Sequence, residues 1–230
     1  MDLVLTIKKA HVYDDVLPND VFQQLWQLMN NLPYARTDAV QWTKVWSLAD
    51  GAILRGPQWV AKAPDWTLNP PPAQGNQRPF PTNPPPLVKL MEKVREACAS
   101  QTHLPEITGV AMLPYVWPPG TSISWHADGT PIGSGRIGAF TFYAHKQWNI
   151  EWGGEFLISE IDADAEGVSS APTFDNSALS EHIINSGVGS WVSPKPNRMI
   201  MNPSNLLHKV SKTTEAAAPR LSIQGFIFAE

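Results

Sequence analysis

Along the chain, apolar and polar positions first alternate, then recur at helical spacing, then alternate again through most of the second half. "VLTIKKAHVYDDVLP" begins with β-branched residues and predicts a strand. "PNDVFQQLWQLMNNLP" then offers Asn19 or Asp20 as a cap and sets Val21, Leu25, Leu28 and Met29 near helical spacing, so an amphipathic helix is expected. Between Pro64 and Pro86 nine prolines exclude a continuous helix or a central strand and predict an extended surface connection, a lid over a pocket being the alternative. "PLVKLMEKVREACAS" lines up Leu87, Leu90, Met91, Val94 and Cys98 on one stripe, the pattern of a scaffold helix laid on a sheet.

After residue 105 the texture becomes short β runs broken by Gly, Pro and Asn: "TGVAML", "TSISWHAD", "RIGAFTFYAH", "GGEFLIS", "GSWVSP", "NRMIMNP", "LLHKVS" and "RLSIQGFIF". Such runs predict a sandwich or jelly roll. Residues 160–188 are acidic, Ser-rich and weakly periodic, and a long loop is expected there. The fold class is therefore mainly β with flanking helices. One domain is expected, residues 1–104 forming a helical and loop scaffold with substrate-side elements and residues 105–230 a jelly-roll core.

Composition narrows the possibilities. With 22 prolines and ten tryptophans in 230 residues, a loop-rich β protein fits better than a helical bundle. The net charge is −4 and no Lys/Arg run occurs, so neither the sequence-independent footprint of a nucleic-acid binder nor a membrane partner is expected. No run of eighteen apolar residues and no leader-like N-terminus is present, and Cys98 is the lone cysteine, so a cytoplasmic protein is expected, with that thiol buried on a helix.

The chemistry concentrates around "SWHADGT". Read as a strand, it sends Ser122, Ser124, His126 and Asp128 to one face, where an imidazole nitrogen and a carboxylate oxygen two residues apart can address one ion. A solvated surface pair is the plainer alternative. A third ligand would complete the arrangement of two histidines and a carboxylate on one side of a metal, leaving other positions open, as in non-haem Fe(II) oxygenases. His208 in "NLLHKVS" is the candidate, sharing a face with Leu206 and Val210; taken alone, a histidine between apolar neighbours is more often a hydrogen-bonded core residue. Twelve residues on, "PRLSIQGFIF" puts Arg220, Ser222 and Gln224 on one face and Leu221, Ile223 and Ile227 on the other. A guanidinium so placed suits a carboxylate, with a rim salt bridge as the bland reading. His11, His103 and His182 lack ligand-like company, and Trp42, Trp46, Trp59 and Trp66 read as core packing or as the wall of a substrate cleft.

Together, His126-Ala127-Asp128, His208 and Arg220-Leu221-Ser222 resemble the iron ligands and co-substrate anchor of the Fe(II)/2-oxoglutarate-dependent oxygenases. "GRIGAFTFYAHKQWNIEWGGEFLI" is similar to a stretch of the prolyl-4-hydroxylase-like branch, through Gly135, Arg136, Tyr143, Trp148, Gly153 and Gly154, with Phe156 in place of a leucine. "YVWPPG" resembles that branch's Tyr-x-Pro-Gly segment, Tyr115 standing one or two places farther from the histidine than usual. The likeness covers about residues 109–228 and departs in two places. Ala144-His145 replace a frequent Leu-Asn, making His145 a substrate-facing donor or, the simpler expectation, an exposed turn residue. Ile123 stands where the branch usually has a second tyrosine.

The resemblance implies a double-stranded β-helix holding Fe(II) on His126, Asp128 and His208. It further implies that 2-oxoglutarate pairs with Arg220, helped by Ser222, Tyr143 and Tyr115, with molecular oxygen as the other co-substrate. Hydroxylation of an unactivated C–H bond of an amino acid, peptide or natural product, releasing succinate and carbon dioxide, would follow. Aspartate at 128 fills the place that halogenating relatives leave open for chloride. The alternatives are a non-catalytic jelly-roll module that binds carboxylate or metal, and a cupin-like enzyme using another divalent metal.

Overall fold

Two antiparallel sheets face one another in the structure, a computed structural model that describes every residue except 8, 38–49, 74–78, 102–103, 129–134, 163–176 and 230. In chain order the elements are β1 (Asp2–Ile7), β2 (Ala10–Asp14), α1 (Asn19–Asn31), β3 (Ala35–Arg36), β4 (Leu54–Arg55), β5 (Trp59–Lys62), α2 (Pro85–Ala99), β6 (Ile107–Trp117), β7 (Ile123–His126), β8 (Arg136–Tyr143), β9 (Phe156–Asp162), α3 (Ser177–Ser186), β10 (Gly189–Val192), β11 (Met199–Pro203), β12 (Leu206–Val210) and β13 (Arg220–Ala229). The larger sheet runs β1-β2-β11-β8-β13-β6-β4-β3, with β5 also paired to β6, and the smaller runs β10-β9-β12-β7. This is the double-stranded β-helix. Each of the eight runs expected after residue 105 forms one of the strands β6 to β13.

Alternation along the long strands of the larger sheet sorts residues between two cores. One face packs on the helices: Val110, Met112, Phe140, Phe142, Ile223 and Ile227 meet Phe22, Leu25 and Met29 of α1 and Leu87, Leu90 and Val94 of α2. The opposite face turns toward the smaller sheet and carries Leu113, Tyr115, Trp117 and Tyr143. Gly225 is what lets the Phe140 ring fill the helix-side core, since a Cβ there would lie 2.0 Å from Phe140 Cε1 and 2.7 Å from the Ala111 carbonyl oxygen.

Several expectations change in detail. The residue at the N-cap of α1 is Pro18, not Asn19 or Asp20; its carbonyl accepts from the Phe22 N–H at 2.8 Å, and Asp20 sits in the first turn, where a carboxylate suits the helix dipole. The proline-rich connection is anchored through its described residues. Leu68 within it is fully buried, with its N–H held by the Asn83 side-chain oxygen at 2.7 Å, and Pro85 and Pro86 already belong to the first turn of α2. Residues 160–188 are not wholly loop, because α3 spans Ser177–Ser186 and Ile183 packs on Leu207. Trp59 is core, its indole N–H donating to the Pro81 carbonyl, and Trp66 lies under the Arg95 guanidinium. Trp42 and Trp46 fall outside the described residues. Cys98 is buried in α2, where desolvation pushes its thiol up to about 12. No helix among the described residues is long and apolar enough to cross a membrane.

Candidate metal centre

Antiparallel pairing of β7 with β12 sets His126 and His208 directly opposite one another in register. Opposed residues on one face of such a pair bring their side chains into contact, and the two ring centroids are 4.2 Å apart. Asp128 follows His126 by two residues, just past the end of β7. One ligand atom from each of the three side chains lies within 4.8 Å of the others.

The local strand differs from the simple alternation expected of "TSISWHAD". Three residue steps along β7, from Ile123 to His126, span what two steps along β12 span from Val210 to His208, so β7 bulges. The bulge sends Ile123 and His126 alike into the cavity, while the Ser122 and Ser124 hydroxyls donate to the Asp50 carboxylate at 2.9 and 3.0 Å. The serines expected beside the metal site therefore anchor β7 from outside it.

Each imidazole is oriented by its own backbone. His126 Nδ1 meets the Ser124 carbonyl oxygen at 2.8 Å and His208 Nδ1 meets that of Leu206 at 2.9 Å. A carbonyl can only accept, so the proton of a neutral ring belongs on Nδ1 and the lone pair of Nε2 points inward, the arrangement typical of metal-binding histidines. The two Nε2 atoms stand 3.7 and 3.6 Å from the two Asp128 oxygens, too far for hydrogen bonds between them. Burial, reinforced by His126, pushes the His208 imidazole down to about 4, so it is neutral near pH 7. The Asn202 side-chain amide donates to Asp128 Oδ2 at 3.3 Å and steadies the carboxylate. Two inward lone pairs and one carboxylate, held from behind yet not bonded to one another, fit a divalent iron.

Behind this triad the inner face of β13 carries the expected polar stripe. Arg220 is 1% exposed, packs against the Trp117 ring with 4.7 Å from guanidinium carbon to centroid, and donates from Nη1 to the Gly154 carbonyl at 3.1 Å. Its Nε and the Tyr143 hydroxyl are buried without a hydrogen-bond partner among the described residues. Buried polar groups normally find partners, so two orphans side by side indicate room for a further polar ligand. Burial pushes Arg220 down to about 10, which leaves it charged at neutral pH, and pushes the Tyr143 phenol up to about 12, which leaves it protonated. Ser222 Oγ accepts from the Trp117 indole N–H at 2.8 Å, freeing its own proton to be donated. The carboxylate of 2-oxoglutarate suits this cationic, donor-rich pocket. Tyr115 lies on the same inner face and lines the cavity, its phenol raised to about 12 by burial against the opposing charge of Arg55.

The Gly153-Gly154 turn explains how Arg220 keeps its place. Both residues have positive φ, +72° and +79°, and a Cβ at Gly153 would lie 2.5 Å from the Lys212 carbonyl oxygen. Trp148 donates its indole N–H to the Gly153 carbonyl at 2.9 Å, tying the turn down.

His145 is not the exposed turn residue expected. It is 4% exposed, with Nε2 2.7 Å from the Pro194 carbonyl and Nδ1 3.3 Å from that of Leu221, and burial pushes it down to about 4. Its ring leans on Tyr143 and Trp148, so it braces the end of β8 and does not face the cavity. Sequence reasoning missed Trp117 as the partner of Ser222, and Arg55, Gln58 and Arg136 as cavity walls. Arg55 and Gln58 lie far upstream of the recognisable motifs and carry no spacing signal; Arg136 was visible only as half of a Gly-Arg pair.

The sequence profile described as the 2OG-Fe(II) oxygenase superfamily matches residues 111–228. No curated protein matches the sequence. Among solved structures, a Pseudomonas putida prolyl-4-hydroxylase superposes with a TM-score of 0.58 at 16% identity, covering 96% of this chain and 93% of that one. A Trichoplax adhaerens prolyl hydroxylase in complex with a hypoxia inducible factor peptide gives 0.61 at 16% identity, covering 96% and 83%. A 2OG-Fe(II) oxygenase family oxidoreductase from Burkholderia pseudomallei gives 0.55 at 13%, covering 96% and 85%. At these identities the structural likeness speaks for the fold alone.

Proposed function

The chain belongs to the 2OG-Fe(II) oxygenase superfamily, and from that premise we propose that it hydroxylates an unactivated C–H bond of a small molecule or peptide, with His126, Asp128 and His208 as the iron ligands. It is a 2-oxoglutarate-dependent dioxygenase, and the superfamily's cofactor and co-substrates are Fe(II), 2-oxoglutarate and O2. Held at the triad, iron with these co-substrates supplies the oxidation that turns C–H into C–OH while 2-oxoglutarate becomes succinate and carbon dioxide. The chain functions as a single oxygenase domain, residues 1–104 buttressing the larger sheet and residues 105–230 carrying the chemistry.

The protein's part is positional. The Nδ1 bonds of the two histidines aim their lone pairs, and Asn202 holds the carboxylate. Arg220 pairs with the distal carboxylate of 2-oxoglutarate, while the Tyr143 and Ser222 hydroxyls donate to it, and Tyr115 closes the co-substrate side. Aromatic and aliphatic walls, among them Phe156, Phe226 and Phe228, keep water from the reacting carbon. The single observation that carries this reading is the convergence of the triad, with a buried arginine on the inner face of β13 whose Nε lacks a partner among the described residues.

Anaerobic addition of Fe(II) and 2-oxoglutarate to the purified protein tests it. A metal-to-ligand charge-transfer band is expected in the wild type and absent in Asp128→Ala, and a wild type without the band sinks the assignment. Succinate release separates an enzyme from a binding module, and activity restored by iron alone separates it from an enzyme using zinc or manganese.

A further inference from the structure

We infer that Asp50, a residue outside the matched segment 111–228, is a positioning residue for the metal ligand His126: its buried carboxylate holds Ser124, whose main-chain carbonyl directs the imidazole. The inference rests on the oxygenase reading above and names what keeps one half of that metal site in place.

The two histidines stand on unequal supports. His208 lies on β12, which runs between β9 and β7 in the smaller sheet, and its register partners are Ile158 on one side and His126 on the other. Its strand is fixed from both edges. His126 ends β7, a strand of four residues that among the described residues pairs only with β12 and is interrupted by a bulge. A bulge breaks the ladder locally and lets the strand bend, so pairing alone sets the path from Ile123 to His126 loosely.

Asp50 supplies what the ladder does not. It is 1% exposed. Its Oδ1 accepts from the Ser122 hydroxyl at 2.9 Å, and the Ser124 hydroxyl lies 3.0 Å from Oδ1 and 3.1 Å from Oδ2. The Asp50 main-chain carbonyl also accepts from the Ser122 N–H at 3.0 Å. With Ser124 held in this way, its own carbonyl meets His126 Nδ1 at 2.8 Å. The contacts thus run from carboxylate to hydroxyl, through the backbone of one residue, to the ring whose Nε2 faces Asp128 at 3.7 Å.

A carboxylate is a poor choice for filling space. Its desolvation opposes folding unless hydrogen bonds compensate, and an apolar side chain would occupy the same volume without that cost. What an apolar contact cannot supply is direction. Two oxygens in one plane fix where both serines lie, and outer partners that orient a metal-binding histidine change metal affinity by about 10- to 100-fold. Asp14 provides the contrast. It is likewise a buried carboxylate, paired with Arg198 at 2.7 Å and Lys195 at 2.9 Å, but it ties β2 to the segment before β11, in the other sheet from β7 and β12.

The test titrates the purified protein with Co(II) in the presence of 2-oxoglutarate, reading the d–d absorption, and follows urea unfolding of the metal-free protein beside it. Asp50→Ala and Ser124→Ala should each weaken Co(II) about 10- to 100-fold. Asp14→Asn should lose stability and keep its Co(II) affinity, which separates positioning from general loosening of the fold. If Asp50→Ala does not fold, Ser124→Ala decides alone, because it removes the link and leaves the carboxylate bonded to Ser122. A folded Asp50→Ala or Ser124→Ala that binds Co(II) within fivefold of the wild type, or an Asp14→Asn weakened fivefold or more, would overturn the inference. A wild type without the charge-transfer band of Fe(II) and 2-oxoglutarate would instead sink the oxygenase reading.

Discussion

Strands β6, β8 and β13 have two faces made by opposite rules. Toward α1 and α2 they present Val110, Met112, Phe140, Phe142, Leu221 and Ile223, all buried, in a core that asks for nothing further. Toward the smaller sheet the alternate residues of the same strands include Thr141, Tyr143, Arg220 and Ser222, equally buried, with two of their polar atoms left unpartnered among the described residues. One face holds the protein together, and the other is incomplete until a ligand arrives. Buried polarity that contributes little to folding is what a site for a metal and a dicarboxylate requires, and the apolar face offsets its cost.

The comparison breaks most easily on the apolar side. Phe142 is fully buried between the sheet and α1, edge-on to Phe22 at 6.3 Å between centroids. Phe142→Ala should lower the free energy of unfolding by about 3–5 kcal/mol, through lost burial and the cavity left behind. Urea unfolding of the ligand-free protein measures this, and a loss under about 1 kcal/mol would mean that the helix-side core is not what carries the fold.

On the inner face the expected sign reverses. Arg220 is buried as a cation at a cost that its lowered pKa records, so Arg220→Met should leave the ligand-free protein at least as stable as the wild type. The same change should weaken 2-oxoglutarate by about 2–5 kcal/mol, since a buried charge pair loses one partner. Titration of the charge-transfer band reads the affinity and urea unfolding reads the stability. A destabilised ligand-free variant would show that Arg220 belongs to the structural half of the molecule.

How much of this was legible in the sequence follows from the same division. Alternation along β13 separates Arg220, Ser222 and Gln224 from Leu221, Ile223 and Ile227 because a strand of ten residues in mid-sheet has no freedom to change parity. The short β7 has that freedom: its bulge carries Ile123 inward beside His126 and turns Ser124 away, and no local residue signals it. His145 misleads for another reason. It follows the last strand residue, Tyr143, where a turn is the natural expectation, but two carbonyls from distant segments, Pro194 and Leu221, close over it. Arg55 belongs to a two-residue strand whose place is fixed by pairing with Tyr115, a partner 60 positions away, and with Ala35 on its other side. Spacing within one element can be read from sequence; convergence between elements needs the fold.

The smallest effect offers the finest test of the contrast. Tyr143 differs from phenylalanine by one hydroxyl, and that hydroxyl is fully buried with no hydrogen-bond partner among the described residues. A buried donor without an acceptor costs stability, so Tyr143→Phe should leave the ligand-free protein unchanged or slightly more stable, the reverse of the usual result of trimming a buried side chain. With 2-oxoglutarate bound, the hydroxyl acquires its acceptor, and losing that bond should weaken the co-substrate by about 0.5–1.5 kcal/mol, roughly 2- to 13-fold. Stability and affinity therefore move in opposite directions, or only the second moves. If both fall together, the hydroxyl is bonded within the protein itself, and the inner face is as complete as the outer.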